Sequence, residues 1–198
     1  MSKPFSQACE NNKHYILSVL KAYLKKGDQV LEIGSGTAQH IKFFADSLSE
    51  VSWIPSEMPA SMPVLLAGLD DPIPENIEHP VELDVEHRNW GKTLSAVVSA
   101  NTLHIMSADH VEKFFSGAAR ALGKNGHLLV YGPFNYQGNY SSESNARFDQ
   151  WLAARDPLSA IRDFEWVNEL AQKEGLSLVK DHDMPANNRL VVWQKNGV

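Results

Sequence analysis

The chain has 198 residues, 43% of them hydrophobic and 21% charged, which is the balance of an ordinary globular protein. Its 18 basic and 24 acidic residues give a net charge of −6 with no dense basic stretch, so nucleic acid is not expected as a partner. The only cysteine is Cys9, which excludes an intrachain disulfide framework, and no secretory signal or membrane-spanning run is visible, so we expect a cytoplasmic location without a membrane partner.

The first predicted elements are two helices and two strands. Apolar residues at helical spacing predict a helix over 9–26, and Gly27, which follows two lysines, would end it. QVLEI (29–33) predicts a short buried strand, and apolar residues at helical spacing predict a second helix over 38–48. VSWIP (51–55) predicts a second strand, which its proline would end.

The middle of the chain is predicted to be a proline-rich segment followed by two strands and a helix. Residues 55–80 hold most of the prolines, so we expect only one short helix there, near 64–69. VELDV (81–85) predicts a third strand. LSAVVSAN (94–101) predicts a fourth, whose small apolar residues suit a strand that is covered on both faces. Apolar residues at helical spacing then predict a strong helix over 111–122.

The last part of the chain is predicted to contain a strand, a loop, two helices and a final pair of strands. HLLVYG (127–132) predicts the strand, and the polar, aperiodic GPFNYQGNYSSESN (132–145) predicts a loop on the substrate side. Helices are predicted near 147–154 and over 164–174. LSLVKDHDM and RLVVWQK then predict two strands, joined by the turn PANN (185–188).

This order of elements predicts an α/β fold. Strands alternate with helices five times before two strands come in succession, which is typical of a mostly parallel, seven-stranded sheet with helices on both faces and a C-terminal antiparallel hairpin. We expect one domain over residues 1–198. In such sheets ligands lie outside the carboxyl ends of the strands, so the loop that follows the first strand is the expected site.

That loop lies in LEIGSGTAQH (31–40), and its residues favour a cationic ligand. Gly34 and Gly36 permit a sharp turn and let a ligand approach bare backbone. Gln39 stands where a dinucleotide-binding pattern needs its last glycine, so that pattern is excluded. Glu32 would repel a pyrophosphate but would suit S-adenosylmethionine, which carries an ammonium and a sulfonium group and no phosphate.

Two further acids lie at the ends of the next two predicted strands. Glu57 follows the second strand, where a carboxylate can accept hydrogen bonds from both ribose hydroxyls. Asp84 ends the third strand, close enough to meet an adenine amino group. Either acid alone would be most simply a solvated surface residue. Together with Glu32 and the glycines, the two acids favour S-adenosylmethionine as the cofactor.

The chain resembles the Rossmann-like S-adenosylmethionine-dependent methyltransferases, and within them a little-characterised methyltransferase-like branch, over nearly its whole length. The resemblance implies the three-layer Rossmann-like methyltransferase fold. The segments that carry it are ENNK (10–13), LEIGSGTAQH (31–40), WIPSE (53–57), LDV (83–85), ANTLHI (100–105), YGPF (131–134), SNARFD (144–149), IRD (161–163) and PANN (185–188).

The resemblance also implies a set of cofactor-binding residues. The glycine loop would surround the methionine end, Glu57 would hold the ribose, Asp84 would frame the adenine, and Asn101 would lie below the methyl donor. The predicted cofactor-binding residues are Asn12, Lys13, Glu32, Gly34, Ser35, Gly36, Glu57, Asp84, Val85 and Asn101. The family often has glycine at the position of Ala38 and aspartate at the position of Glu57.

The sequence does not assign a catalytic residue, because methyl transfer is an in-line displacement that needs a base only when the acceptor must lose a proton early. The candidates for catalysis are His104, Tyr131 and Asn135. The candidates for substrate contact are Asn135, Arg162, Asp163, Asn187 and Asn188. The alternatives are structural: His104 could cap a loop, Tyr131 could be packed, Arg162 and Asp163 could pair, and the two asparagines could only form a turn.

Three hypotheses of function follow. The first is a small-molecule methyltransferase in which the loop 132–145 is the acceptor lid. The second, a short-chain oxidoreductase, is disfavoured because no tyrosine is followed four residues later by lysine. The third is a non-catalytic S-adenosylmethionine-binding scaffold or partner subunit. No spacing of histidine with cysteine or acid residues predicts a metal site, and no sequence feature indicates the oligomeric state.

Overall fold

The structure is a computed structural model that describes residues 4–70, 72–87, 90–91 and 93–197. Strands and helices alternate along the chain before a final pair of strands. In chain order the elements are α1 (Gln7–Tyr23), β1 (Gln29–Ile33), α2 (Gln39–Ser47), β2 (Ser52–Glu57), α3 (Met62–Gly68), β3 (Val81–Glu82), β4 (Leu94–Ala100), α4 (Ala108–Ala121), β5 (Leu122–Gly132), β6 (Phe134–Asn135), α5 (Glu143–Arg155), β7 (Arg162–Asp163), α6 (Phe164–Lys173), β8 (Leu176–Met184) and β9 (Asn188–Lys195).

Seven of the strands form one sheet in the order β3-β2-β1-β4-β5-β9-β8, and β6 pairs with β7 in a separate two-stranded sheet. Strand β1 pairs in parallel with β2 and β4, and β2 pairs in parallel with β3. Strand β9 runs antiparallel to both β5 and β8. The predicted α/β fold class, with a mostly parallel seven-stranded sheet and a C-terminal antiparallel hairpin, is therefore confirmed.

The chain divides into two compact units. The first comprises Met1–Asp84 and Leu94–Ser99, and the second comprises Val85–Thr93 and Ala100–Val198. In the first unit, the fully buried rings of Phe44 on α2 and Trp53 on β2 lie 5.7 Å apart. In the second unit, Phe115 on α4 packs edge-on against Trp193 on β9 at 5.5 Å. Each unit therefore has an aromatic contact between a helix and a strand in its core.

Three of the helices begin at a serine that satisfies one of the backbone N–H groups left without a partner in the first helical turn. Ser6 accepts from the N–H of Cys9 at the start of α1, and Ser107 accepts from that of His110 at the start of α4. Ser142 caps α5 in the same way. Because a serine in this position stabilises a helix by about 1 kcal/mol, the boundaries of these helices are fixed locally by the sequence.

The first helix is shorter at its end than the predicted 9–26. It ends at Tyr23 because Leu24 adopts an extended conformation, with φ of −102° and ψ of 141°. The Lys25 N–H then donates to the side chain of Asp28 at 2.8 Å, and the Asp28 N–H donates to the Lys25 carbonyl at 3.1 Å. Gly27, with φ of 85°, lies inside this turn rather than directly after the helix.

Strand β2 continues two residues beyond Pro55, contrary to the prediction that this proline ends it. Trp53 and Glu57 form backbone hydrogen bonds with residues 76–83 on one side of the strand. Alternation places the backbone nitrogen of Pro55 on the same side, and the short strand β3 begins opposite Ser56, so no strand partner requires an N–H from this proline. The third strand is correspondingly shorter than the predicted 81–85.

The segment 132–145 is more structured than the predicted loop. It contains β6, which pairs in parallel with β7, and α5 already begins at Glu143. The short helix predicted near 64–69 is present as α3, and the helix predicted over 164–174 is present as α6, followed by Gly175 with φ of 76°. None of the helices in the described part of the chain is long and apolar enough to cross a membrane.

The close contact between α4 and Trp90 predicts an unusual effect of a glycine substitution. A Cβ at Gly117 would lie 2.1 Å from the Trp90 ring. Alanine normally stabilises a helix by about 1 kcal/mol relative to glycine, but overpacking costs about 1–3 kcal/mol. We therefore expect Gly117→Ala to lower the free energy of unfolding in urea. The exposed Glu112→Ala on the same helix should change it by less than about 0.5 kcal/mol. A stabilised Gly117→Ala variant would contradict this packing.

Candidate functional site

The loop between β1 and α2 has the backbone conformation that its glycines predict. Gly34 and Gly36 have φ angles of 75° and 52°, in the left-handed region that disfavours other residues. The N–H groups of Gly34 and Ser35 both donate to the carbonyl oxygen of Ser56, at 3.1 and 2.9 Å. The glycine loop is therefore fixed to the carboxyl end of β2 through backbone hydrogen bonds.

Glu32, which precedes the glycine loop, is a buried acid whose charge is not neutralised by a basic partner. Its side chain is 2% exposed, and Oε2 has no hydrogen-bond partner among the described residues. Burial raises the pKa of this carboxyl group, a hydrogen bond from Ser35 lowers it and the nearby charge of Glu57 raises it, and together these effects place it at about 7. The carboxyl group can therefore accept a hydrogen bond or balance a positive charge.

Glu57 lies at the last position of β2 and contacts the glycine loop directly. Its Oε2 accepts a hydrogen bond from the Gly36 N–H at 2.9 Å, and its Oε1 accepts one from the Met58 N–H at 3.0 Å. Each carboxylate oxygen can accept more than one hydrogen bond. The two backbone donors therefore orient the carboxylate while leaving it able to accept from a ligand hydroxyl.

Helix α3 supports the far side of the glycine loop. A Cβ at Gly68 would lie 2.2 Å from the Thr37 carbonyl oxygen and 3.0 Å from the Cβ of Ala38, so only glycine permits this approach. Ala38 is fully buried and has φ of 61°. Glycine would adopt this left-handed conformation without strain, whereas Ala38 adopts it at a conformational cost of about 1–2 kcal/mol.

Asn12 and Lys13 have protein partners in the structure. The Oδ1 of Asn12 lies 2.6 Å from the Nε2 of His40, and the Nζ of Lys13 lies 5.0 Å from the centre of the Phe43 ring. Gln39 adds a hydrogen bond from Nε2 to the carboxylate of Glu10 at 2.7 Å. These contacts join α1 to α2, and the predicted contact of Asn12 and Lys13 with the cofactor stays a prediction.

The remaining predicted cofactor residues divide between the two units. Asp84, in the first unit, follows β3 by two residues rather than ending it. Val85, in the second unit, is 8% exposed. Asn101 follows β4 with φ of 59°, a conformation that asparagine tolerates better than most residues, and its N–H donates to the Tyr131 carbonyl at 2.8 Å. Their roles toward a cofactor stay predictions.

In the second unit, two of the predicted polar residues lie beside Gly132 at the end of β5. From the position that a Cβ on Gly132 would occupy, the His104 Nδ1 is 3.7 Å away and the Asn101 Oδ1 is 4.0 Å away. Burial, and next the positive charge of Arg162, lower the pKa of His104 to about 4, against an opposing effect of Asp149. His104 is therefore neutral at physiological pH and can accept a proton. Tyr131 is 5% exposed within β5.

The loop that carries His104 is clamped by residues 158–162. The Ala160 N–H donates to the His104 carbonyl at 3.0 Å, and the Ser159 hydroxyl donates to the Ile105 carbonyl at 3.2 Å. The Nη2 of Arg162 donates to the carbonyl oxygens of Met106 and, at 2.8 Å, of Leu158. The guanidinium is thus held by bonds to backbone carbonyl oxygens rather than by an ion pair with Asp163.

The predicted loop 132–145 is tied to the rest of the second unit at several points. The hydroxyls of Tyr136 and Tyr140 donate to Asp181 and Asp149, at 2.7 and 2.8 Å. Asn145, which is 6% exposed, donates through Nδ2 to the Ser141 hydroxyl and to the Asn187 carbonyl. Residues 132–145, which we call the aromatic segment, are thus held in place by hydrogen bonds. This arrangement is more typical of a fixed part of a site than of a mobile lid.

A pocket of about 340 Å³ lies between the aromatic segment and the turn of the β8–β9 hairpin. Tyr136 and Ser141 line it on one side, and residues 183–184 and 187–189 line it on the other. The structure therefore brings the predicted substrate residues Asn187 and Asn188 together with the aromatic segment. Asp149 lies in the SNARFD segment, but its bond from the Tyr140 hydroxyl, and the pairing of Asp181 with Tyr136 45 residues away, were not predicted from the sequence.

One group of potential metal ligands was not expected from the sequence. Glu86, Asp109 and His110 present ligand atoms that all lie within 4.8 Å of one another. The ammonium group of Lys113 already binds there, at 2.9 Å from Glu86 and 2.6 Å from Asp109. Lys113 carries one positive charge and pairs with both acids, so the cluster is a surface ion-pair network of the second unit.

Comparison with known families gives one match over nearly the whole chain. Residues 3–195 match the family described as "Protein of unknown function (DUF938)".

Several solved structures with a similar fold are described as methyltransferases, and their sequence identity to this chain is low. An O-methyltransferase family protein from Burkholderia thailandensis matches with a TM-score of 0.80 and 13% identity, covering 96% of this chain and 58% of that one. Human N-acetylserotonin methyltransferase in complex with SAM matches with a TM-score of 0.81 and 12% identity, covering 96% and 53%. An O-methyltransferase family 2 protein from Planctomyces limnophilus in complex with apigenin matches with 0.75 and 13%, covering 93% and 62%. The chain thus spans little more than half the length of these proteins.

The buried Glu32 predicts a pH dependence of stability. Because its pKa is raised on folding, from 4.5 to about 7, the folded state holds the proton more tightly, and stability is lost as the pH rises through this window. The loss amounts to about 3 kcal/mol when complete. Glu32→Gln should remove it, so the stability of this variant relative to the natural protein should increase between about pH 4.5 and 7 and then level off.

Urea unfolding of both proteins at a series of pH values would measure this difference. Buried His40 and His104, whose pKa values are lowered to about 4, act in the opposite direction below pH 6.5, but they are common to both proteins and cancel. Glu82→Gln, at an exposed position of β3, is the matched control for the loss of one carboxylate. A stability difference for Glu32→Gln that does not vary with pH would show that the pKa of Glu32 is not raised on folding.

Proposed function

We propose that this chain, which belongs to the family of proteins of unknown function DUF938, is an S-adenosylmethionine-dependent methyltransferase that acts on a small-molecule acceptor. The observation that carries the proposal is the buried carboxyl group of Glu32 beside a glycine loop of bare backbone. The methyltransferase fold supports it at the level of architecture.

The residues of the glycine loop fit the proposed cofactor chemically. The unpartnered Oε2 of Glu32 and the carboxylate of Glu57 make the loop unfavourable for a pyrophosphate, whose charge they would repel. The same groups suit a ligand with an ammonium and a sulfonium group, and Glu57 can accept from ribose hydroxyls. Gly34, Ser35 and Gly36 would border its methionine end. Asp84 would lie toward the adenine.

S-adenosylmethionine supplies the activated methyl group when it is bound. The protein's own contribution is to align the acceptor and, where the reacting atom carries a proton, to receive it. His104 is the residue we assign to proton transfer, because it is buried, neutral at physiological pH and held in place by the carbonyl contacts of its loop. Tyr131, which packs in β5, and Asn135 remain secondary candidates.

A small acceptor is supported by the net charge of the chain, by the volume of a pocket and by one of the similar structures. The net charge of −6 disfavours a nucleic-acid substrate. The pocket between the aromatic segment and the hairpin turn has a volume of about 340 Å³, in the range of a small-molecule site. One of the similar solved structures is a complex with apigenin, a small molecule. The cytoplasmic location expected from the single cysteine stays a prediction.

Binding of the cofactor tests the first step of this proposal. Isothermal titration calorimetry should show S-adenosylmethionine or S-adenosylhomocysteine binding to the natural protein. Glu57→Ala should weaken the affinity by roughly 1–3 kcal/mol, the scale of hydrogen bonds to a charged group. Glu82→Ala, an exposed acid in the same unit, should leave it unchanged. If Glu57→Ala binds as tightly as the natural protein, Glu57 does not hold the ribose.

Methyl transfer tests the second step. With a labelled methyl donor and a panel of phenols, carboxylic acids and amines, His104→Gln should lower the rate about 10²–10⁴-fold while the cofactor affinity holds. A transfer rate that does not change would exclude His104 as the base. If the natural protein binds the cofactor but methylates no member of the panel, the alternative of a non-catalytic S-adenosylmethionine-binding scaffold is favoured.

A further inference from the structure

The short parallel pair of β6 and β7 holds a concentration of unsatisfied polar atoms. Asn135 Oδ1, Arg162 Nε and Asp163 Oδ1 are buried, and none has a hydrogen-bond partner among the described residues. Together β6 and β7 contain only the residues Phe134–Asn135 and Arg162–Asp163. Buried polar atoms are usually paired, and an unpaired one is destabilising, so three on one small element call for a function.

Two of these atoms belong to residues that face each other across the β6–β7 ladder. Asn135 and Asp163 are directly paired in the register of the parallel ladder, so their side chains are on the same face of it. The amide nitrogen of Asn135 is directed to the Ile161 carbonyl, at 3.4 Å, which leaves its Oδ1 to the other side. The Arg162 side chain belongs to the opposite face, because successive residues of a strand alternate.

The side chain of Asp163 does not cap the helix that follows it. It occupies the N-cap position of α6, where an aspartate usually accepts a hydrogen bond from the backbone of the first turn, but its side chain forms no such bond. Its carboxylate is thus held neither by its own helix nor by Arg162, which binds the carbonyl oxygens of Met106 and Leu158. Asn135 Oδ1 and Asp163 Oδ1 are therefore two acceptors that have no donor among the described residues.

We infer that Asn135 and Asp163 form a recognition site for a primary ammonium group of the methyl acceptor. The count of donors decides between ligand classes: a hydroxyl has one hydrogen to donate and could satisfy only one of the two oxygens, whereas an ammonium group has three and balances the carboxylate charge. The overall charge of −6 also favours a cation.

The site deepens the proposed function and depends on it for its role. Asn135 follows by three residues Gly132, beside which His104 and Asn101 lie. The bound ammonium, being protonated, has no lone pair for attack, so it serves as an anchor while another atom of the acceptor receives the methyl group. Specificity for amine-bearing acceptors would therefore come from β6 and β7, and the proton transfer from His104.

A stability measurement tests the unsatisfied pair without any ligand. Asp163→Asn replaces one acceptor by an amide that can donate to Asn135 Oδ1, so it should raise the melting temperature of the ligand-free protein by about 2–4 °C. Asp149→Asn is the matched control, because both oxygens of Asp149 already accept hydrogen bonds, from the Ile161 N–H and the Tyr140 hydroxyl. It should lower the melting temperature. A lowered melting temperature for Asp163→Asn would overturn the inference.

Binding is tested with ethylammonium chloride as the probe and tetramethylammonium chloride as a control that has the same charge but no N–H donors. In NMR spectra of the ¹⁵N-labelled protein, ethylammonium should shift the side-chain amide of Asn135 saturably, with a dissociation constant of roughly 1–10 mM. The affinity should be at least about 10-fold weaker in Asp163→Asn. Asn135→Ala, followed through the backbone amide of Asp163, should weaken it similarly.

The inference is overturned if ethylammonium gives no saturable shift in the natural protein, if the Asp163→Asn variant responds equally, or if tetramethylammonium produces the same shifts. Affinity for S-adenosylmethionine is measured on the same samples and should be equal in the natural protein and in Asp163→Asn. If cofactor binding is absent throughout, the proposed function fails while the ammonium titration still decides on the recognition site.

Discussion

The carboxyl group of Glu32 is buried beside the glycine loop and has no basic partner among the described residues. Glu32 sits at the end of β1 with 2% of its side chain exposed, and the loop after it is fixed by the Ser56 carbonyl and the Glu57 carboxylate. Removing an acid from water is costly, which is why the pKa of Glu32 rises to about 7. A cationic ligand would relieve this cost, and an anionic one would increase it.

In the second unit, hydrogen bonds from distant elements hold the loop that carries His104 in place. Arg162 and the backbone of residues 159–160 bind the carbonyl oxygens of the His104 loop, so the loop has little freedom to move. Asp149 accepts hydrogen bonds from Ile161 and Tyr140 and so joins this clamp to the aromatic segment. Because these bonds are shared between elements distant in sequence, the position of His104 depends on the folded unit as a whole.

The sequence predicted the order of elements and the chemistry of the glycine loop, because both depend on local signals. Periodicity found the helices, and Gly34 and Gly36 marked a turn that needs left-handed backbone. It failed at Pro55, since only the neighbouring strand reveals which side of β2 lacks a hydrogen bond. It also failed to pair YGPF with IRD, because a two-residue bridge carries no periodic signal.

The roles of individual polar residues were the hardest to predict, because they depend on partners that lie far away in the chain. The Oδ1 of Asn12 lies 2.6 Å from the Nε2 of His40, a partner that the sequence did not predict, and its expected contact with the cofactor stays a prediction. Arg162 was expected either to pair with Asp163 or to contact an acceptor, and it binds backbone carbonyls. A polar side chain on a helix or in a loop has many partners available, and the choice among them is made by elements far away in the chain.

The electrostatics of His104 constrain the kind of proton transfer that it can perform. Burial and Arg162 lower its pKa to about 4, and Asp149 only partly opposes them. Such a base is almost always unprotonated at neutral pH but is weak, so it can remove a proton efficiently only from a group that has become acidic. An oxygen or nitrogen becomes acidic as it gains a methyl group, because it then acquires positive charge. In the proposed methyl transfer, His104 would therefore accept the proton late, after most of the new bond has formed.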